Sequence, residues 1–260
     1  MRVNLESKNS KSWHHFLRQR DFLQIISNLD YGKNIKVLEV GAGDGSQTML
    51  LKKYFSHVVS IDIAPTTDTK DIIIANVCDL PFEDKEFDIV FSSNVLEHVD
   101  DINKAFSEMK RVLKDDGKMI HSMPSHIWKI LQLSLGWVHS FKKIIYKLLS
   151  IKLSSRAHPD DFVHLHGKKS KNRYFVNKLL GLIIPSIHGT SGNHISEFLR
   201  FRPAYWEKKF KENNLIYIKK HNLFLHTPYE FLPFKFLSLR DFLGRYGFAS
   251  VYAYELRKSR

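Results

Sequence analysis

Cysteine is almost missing: Cys78 is the only one in 260 residues. A lone thiol excludes an internal disulfide framework and a cysteine zinc cluster, and it fits a reducing compartment. Long apolar runs are missing too. No continuous apolar stretch follows the positive residues near the N-terminus, so no signal peptide is expected. Between Lys129 and Lys142 lie only twelve residues, several of them polar, too few for a membrane span. Internal repeats and low-complexity runs are absent. Acidic residues are scarce in one half only. Residues 1–120 hold 16 Lys/Arg against 19 Asp/Glu, whereas residues 121–260 hold 24 against 8. The net charge of +13 therefore belongs to the second half. Such a half suits an anionic partner (phosphate, lipid headgroups, nucleic acid or an acidic glycan), or is a solvated basic surface. At 43% apolar and 26% charged residues, the chain can bury a sizeable core as one α/β domain with an insertion.

What is present is organised around Ile35–Thr48, IKVLEVGAGDGSQT. Ile35, Val37, Leu38 and Val40 form a short apolar run suited to a buried parallel strand. Gly41, Gly43 and Gly45 follow at alternate positions, where missing Cβ atoms allow a sharp turn and close approach of a ligand. Ser46 is read as the N-cap of a helix carrying Met49, Leu50, Lys53 and Tyr54. Strand, glycine turn and helix open a nucleotide-binding α/β sheet. The turn lacks the lysine of a phosphate-binding P-loop, and its Gly-x-Gly-x-Gly spacing is not the dinucleotide fingerprint. Glu39, two residues before the first glycine, would repel a pyrophosphate but suits an amino cation. Asp62 ends the next strand, seventeen residues after Gly45, where an acid can accept bonds from both ribose hydroxyls. Adenosine plus an amino acid cation describes S-adenosylmethionine.

Four ordered motifs carry a family resemblance: VLEVGAGDGSQT, SIDIAP, VCDLPFEDKEFDIVFSSNVLEHVDD and RVLKDDGKMIHSMP. From Val37 to about Pro124 the chain resembles the class I S-adenosylmethionine-dependent methyltransferases. It is most similar to their type 11 subgroup, which resembles the ubiquinone/menaquinone-biosynthesis enzymes. The resemblance implies a Rossmann-like α/β fold: a seven-stranded, mostly parallel sheet with helices on both faces and an antiparallel last strand. A largely helical insertion is expected after the fifth strand. It also implies a cofactor site of Glu39, Gly41, Ala42, Gly43, Gly45, Asp62, Ile63, Asp79, Leu80, Asn94 and Val95. In it Asp79 would bond the adenine amino group and Leu80 would pack on the ring; the alternative for Asp79 is a cap on the Pro81 turn. His98, and His126 just past the fifth strand, are the candidate catalytic bases, because an imidazole titrates near neutral pH. No metal is implied. His164-x-His166 beside Asp160 and Asp161 is by itself a weak metal pattern.

The expected organisation follows. Residues 1–30 bring a helix over the cofactor cleft, residues 31–124 and 203–260 make the core, and residues 125–202 form a substrate lid. The fifth strand is expected over Lys118–Met123, the late helix over Pro203–Asn213, the sixth strand over Leu215–Lys219 and the seventh over Phe248–Leu256. Residues 127–153 read as a basic amphipathic helix, suited either to its own core or to peripheral contact with a membrane surface. The segment Phe224–Phe242 is expected to pack over the cleft mouth. Resemblance to methyltransferases of surface-glycan pathways favours O-methylation of a small molecule, sugar or nucleotide sugar. The acceptor would be a small molecule, glycan or lipid-linked group, anionic to match the basic half. A lipid or prenyl-quinone acceptor at the membrane surface is the enzyme alternative. A nucleic-acid binder is disfavoured because no recognition fold or stacking motif is visible, and a non-catalytic scaffold because the cofactor motif is intact. A cytoplasmic protein is expected, with peripheral contact at the inner face of the membrane.

Overall fold

The computed structural model describes residues 13–26, 34–66, 71–136, 138, 187–227 and 235–259. The first half alternates strand and helix. α1 (Trp13–Ile26) is followed by β1 (Lys36–Val40), α2 (Ser46–Tyr54), β2 (His57–Asp62), β3 (Ile72–Ile74), β4 (Phe87–Ser93), α3 (Ile102–Val112) and β5 (Leu113–Pro124). α3 shows how periodicity sets packing. Ile102, Ala105, Phe106, Met109 and Val112 recur at helical spacing and are all buried, and the Asp101 side chain caps the first turn by accepting the Lys104 N–H at 3.0 Å.

Residues 126–136 are helical and are called α4. The chain returns with α5 (His194–Arg200), α6 (Pro203–Glu212), β6 (Leu215–Asn222), α7 (Leu237–Arg245) and β7 (Val251–Lys258). All seven strands join one sheet in the order β3-β2-β1-β4-β5-β7-β6. The pairs from β3 to β5 are parallel, and β7 runs antiparallel to both β5 and β6. The expected seven-stranded sheet with its antiparallel last strand is thus present. Because β6 and β7 complete the sheet begun by β1–β5, the two ends of the chain share one core. Trp206, Phe210 and Tyr254 from the late elements pack with Phe106 and Met109 from α3.

Three local expectations change. Ser46 opens α2 but does not cap it. Gly45 takes the cap position, and the Asp44 carboxylate accepts both the Ser46 N–H at 3.1 Å and the Ser46 hydroxyl at 2.7 Å. β5 begins at Leu113 rather than Lys118, since Leu113 pairs with Phe87 and a register shift between Phe87 and Ile89 absorbs the extra residues. Within Phe224–Phe242, residues 228–234 lie outside the described residues, and the described part, which includes the start of a helix, α7, packs on α1: Leu237 and Phe224 meet Trp13, Phe16 and Leu17, and Arg20 pairs with Asp241 at 2.6 Å. Most of residues 127–153, and all of the His164-x-His166 segment, lie outside the described residues.

One core histidine makes stability respond to pH. His121 of β5 is fully buried, with Nδ1 2.8 Å from the Ser92 hydroxyl, and burial pushes it down to about 3. An unfolded histidine titrates near 6.5. Below that pH unfolding takes up a proton that the fold excludes. Stability is therefore lost as pH falls from about 6.5 toward 3, by about 1.4 kcal/mol per pH unit. Asp21 works in the opposite sense: burial of its carboxyl pushes it up to about 7, so its contribution grows as pH falls. The difference between wild type and His121→Leu isolates the histidine. Urea midpoints from pH 7 to 4.5 should fall more steeply in wild type than in the variant; equal slopes would sink this assignment.

Candidate cofactor and acceptor site

The sheet order reverses between β1 and β4, each of which has a different neighbour on its far side. In open parallel sheets ligands bind at such a switch, beyond the carboxyl ends of the strands. A cavity of about 690 Å³ lies there, within the roughly 300–1,000 Å³ of small-molecule sites. Its wall is built from successive strand ends: Val40–Gly43 after β1, Asp62 and Ile63 after β2, Ala75–Cys78 after β3, and Ser93–Val95 after β4. Arg18 of α1 closes one side and His98–Asp101 another, and among the described residues none beyond Lys104 lines it.

The glycine turn is shaped by close approach. Gly41 has φ +80°, and a Cβ there would sit 2.2 Å from Val95 Cγ2. Only glycine lets β1 turn this tightly against the β4 loop. Asp62 then fixes the turn: its Oδ2 accepts the Gly43 N–H at 2.7 Å and its Oδ1 accepts the Ala64 N–H at 2.8 Å. A carboxylate offers about four lone-pair sites, so acceptor capacity remains for two ribose hydroxyls. Ile63 is 70% exposed at the wall and supplies an apolar face for a purine. Asn94 holds φ +53° while its N–H donates to the Ser122 carbonyl at 2.8 Å.

Of the residues singled out in the sequence, Gly41, Ala42, Gly43, Asp62, Ile63, Asn94, Val95 and His98 are brought together in this wall. The others stand apart from it. Glu39 is buried beneath the turn, where its Oε2 accepts the Thr48 hydroxyl at 2.5 Å and the Ser60 hydroxyl at 2.7 Å. Burial raises its carboxyl above the usual range, and the two hydroxyls oppose that. Gly45 caps α2. Asp79 is exposed, Leu80 is buried in the main core, and the wall uses Asn76, Val77 and Cys78 instead. The two-residue offset arises because an Asn76–Asp79 bridge, closed by the Asp79 N–H to the Asn76 carbonyl at 2.9 Å, turns the chain away before Asp79. His126 faces Tyr252 of β7 and Phe198 of α5, with ring centroids 6.2 and 5.9 Å away, and is outside the wall. Burial, then Arg202 and Lys220, hold its imidazole below the ordinary value.

His98 closes a short 3₁₀ turn, Leu96–His98, at the cavity edge. Burial holds its pKa below the ordinary value, with Glu97 acting in the opposite direction. At neutral pH it is therefore neutral and able to accept a proton. Sequence reading did not bring the residues around it together. His188 stacks edge-on to His98 at 4.6 Å between centroids, and its Nε2 lies 3.6 Å from Glu97 Oε1. The ligand atoms of Glu97, His98 and His188 lie within 4.8 Å of one another. Beneath them, fully buried Lys129 of α4 pairs with fully buried Glu197 of α5 and donates to Gln132 Oε1 at 2.6 Å. Ninety-one residues separate Glu97 from His188, and no local pattern signals their contact.

A parallel sheet with this switch point, a Gly-x-Gly-x-Gly turn and an acid ending β2 defines a class I S-adenosylmethionine-dependent methyltransferase domain. Residues 38–121 match the family model described as a methyltransferase domain, and this stretch is similar to the type 11 group, whose cofactor is S-adenosylmethionine. Among curated relatives, the uncharacterized protein MJ1252 of Methanocaldococcus jannaschii is 30% identical over 148 residues, 53% of this chain and 57% of the relative. The ubiquinone biosynthesis O-methyltransferase of Bartonella quintana is 28% identical over 136 residues, 44% of this chain and 55% of the relative. The chain spans about half the length of the curated relatives it matches. Among solved structures, an S-adenosylmethionine-dependent methyltransferase of Thermotoga maritima aligns with a TM-score of 0.54 at 15% identity, covering 95% of this chain and 92% of its own. One from Listeria monocytogenes reaches 0.53 at 14% identity, covering 94% and 98%. At that identity the likeness is one of fold. Among the described residues no helix is long and apolar enough to cross a membrane.

Proposed function

We propose that the protein transfers the methyl group of S-adenosylmethionine to an oxygen of a small acceptor, a sugar or nucleotide sugar of a surface-glycan pathway. The cofactor supplies an electrophilic methyl on a sulfonium, so the protein's own task is alignment and proton removal. Alignment alone is worth roughly 7–11 kcal/mol in favourable cases. The observation that carries the oxygen reading is His98: a neutral imidazole at the cavity wall suits a hydroxyl, which must lose its proton to become a good nucleophile. The second half of the chain, with 24 basic against 8 acidic residues, suits an acceptor bearing phosphate or carboxylate.

A specific surface favours a second reading, a lipid-associated acceptor met by a protein lying on the membrane face. Leu239 and Phe242 of α7, with Phe236, Tyr246 and Phe248 beside it, are all more than half exposed, and Arg245 at 69% side-chain exposure flanks them. Aromatic side chains beside basic ones suit a headgroup boundary. One experiment separates the readings. Methyl-labelled S-adenosylmethionine and an extract of the producing cells are incubated with the protein, and label is partitioned. Label in the aqueous sugar fraction is the expected result. Label in the organic phase would move the acceptor to a lipid, and no label despite confirmed cofactor binding would overturn both.

A further inference from the structure

Among the described residues, Glu97 is the least explained side chain. It is 0% exposed, and neither carboxylate oxygen makes a hydrogen bond. A buried, unbonded carboxylate costs several kcal/mol unless a positive charge faces it. The groups that face it are two imidazoles: His188 Nε2 at 3.6 Å and His98 Nε2 at 4.0 Å, both from Oε1. His98 lines the cofactor cavity and is 46% exposed at its side chain, and His188 is 35% exposed.

The second imidazole is held there by the fold. The backbone N–H of His188 donates to Glu197 Oε1 at 2.7 Å, and Glu197 is itself fixed by its buried pairing with Lys129. The next residue, Gly189, has φ +85°, and a Cβ there would fall 2.5 Å from the Glu97 carbonyl oxygen, so only glycine allows this approach. The Thr190 N–H then donates to that same carbonyl at 3.2 Å. Trp128 of α4 packs on the other face of the site, its ring centroid 5.2 Å from that of His188. These contacts deliver a histidine from the last part of the insertion onto the turn that carries His98.

We propose that Glu97, His98 and His188 form a proton relay at the acceptor side of the cofactor cavity, with His98 as the catalytic base and Glu97 and His188 as positioning residues. The inference rests on the methyl-transfer reading above. The acceptor's O–H bond breaks as its oxygen bonds the methyl carbon; the S–CH₃ bond breaks with its electron pair returning to sulfur; the proton goes to His98. The imidazolium so formed is balanced by the Glu97 carboxylate. His188, 35% exposed and facing the same carboxylate, gives the proton a second exit to solvent beside His98, which is itself 46% exposed. The charged groups around His98 are Glu97 on its own turn, His188 on the segment before α5, and Glu197 and Arg200 on α5. Arg200 is tied back to the same turn by donating to the Val99 carbonyl at 3.3 Å and to the Thr190 hydroxyl. The relay also makes the site depend on residues 187–200, the last part of the insertion, since they carry His188 and the groups that hold it.

The test needs no acceptor. Imidazole ¹⁵N signals of the full chain saturated with S-adenosylhomocysteine are followed against pH in wild type, Glu97→Gln and His188→Gln. In Glu97→Gln the His98 midpoint should move to lower pH by about one unit, because the facing anion is gone. In His188→Gln it should move up, because a competing imidazole is gone. Affinity for S-adenosylhomocysteine by calorimetry should stay within twofold in both variants. Midpoints that do not move in either variant would overturn the relay, and should Glu97→Gln not fold, His188→Gln alone decides. Signals of His98 and His188 that shift when equimolar Zn²⁺ is added, or on dialysis against chelator, would overturn it in favour of a cation site. Wild type that binds no S-adenosylhomocysteine would instead overturn the methyl-transfer reading, so the two failures are distinguishable.

Discussion

Asp62→Ala should weaken S-adenosylmethionine binding by at least a hundredfold. The carboxylate holds the Gly43 and Ala64 N–H groups at 2.7 and 2.8 Å and turns its remaining lone pairs to the cavity. Hydrogen bonds to a charged group are worth about 1.5–3 kcal/mol each, so two ribose contacts correspond to roughly 3–6 kcal/mol. Because 1.4 kcal/mol is tenfold in affinity, the loss is about 10²–10⁴-fold. Asp62→Asn keeps the shape but has one acceptor oxygen where the native residue has two, so an intermediate loss is expected. Asp79→Ala is the control. Its side chain is exposed and outside the cavity wall, so a change within threefold is expected. Calorimetry with S-adenosylhomocysteine measures all three. An Asp62→Ala protein binding within threefold of wild type, or an Asp79→Ala protein losing a hundredfold, would place the adenosine elsewhere.

Lys129→Met should be the most destabilising single change in the described part of the second half. Lys129 and Glu197 are both 0% exposed and paired, and the ammonium also donates to Gln132 Oε1 at 2.6 Å. Removing one member of a buried ion pair leaves the other charge uncompensated and costs about 3–5 kcal/mol, a large part of the ~5–15 kcal/mol that holds a typical protein folded. At about 2–4 °C per kcal/mol for chains of this size, the melting temperature should fall by about 10 °C. Lys129→Met combined with Glu197→Gln should recover most of the loss, because the orphaned charge is gone. Differential scanning calorimetry decides: a single variant melting within 2 °C of wild type would show that the pair contributes little. The double variant should still lose His188 positioning, since a glutamine is a weaker acceptor for the His188 N–H than a carboxylate. Stability and relay are therefore separable in the same experiment.

Much of the first half was legible because its chemistry is local. The apolar run before Gly41 is a strand because it is buried on both faces, and Ile102, Ala105, Phe106, Met109 and Val112 form a helix face by spacing alone. Gly41 is required by a turn that folds onto Val95, and a Gly-x-Gly-x-Gly pattern after a strand announces such a turn. Asp62 was placed correctly at the wall because it ends a strand next to the switch point. Asp79 and Leu80 lie outside the cavity wall, which uses Asn76, Val77 and Cys78. Spacing cannot reveal that the Asn76–Asp79 bridge turns the chain away from the cavity before Asp79. Helix α7 was hidden by its prolines upstream, although its docking on α1 follows from Trp13, Phe16, Phe224 and Leu237 meeting as one cluster.

The sequence by itself determined the class: an α/β sheet, a glycine turn after its first strand, an acid after its second, and thus an adenosyl cofactor. These are set by contacts within a few residues or between neighbouring strands, where periodicity and turn chemistry act directly. Only the tertiary structure decided which side chains face the cavity and which charged groups meet at its edge. Glu97 and His188 are ninety-one residues apart, and Lys129 and Glu197 are sixty-eight apart. Burial of a carboxylate, and the charge that must then face it, is a property of the closed fold and has no periodic signature in the chain.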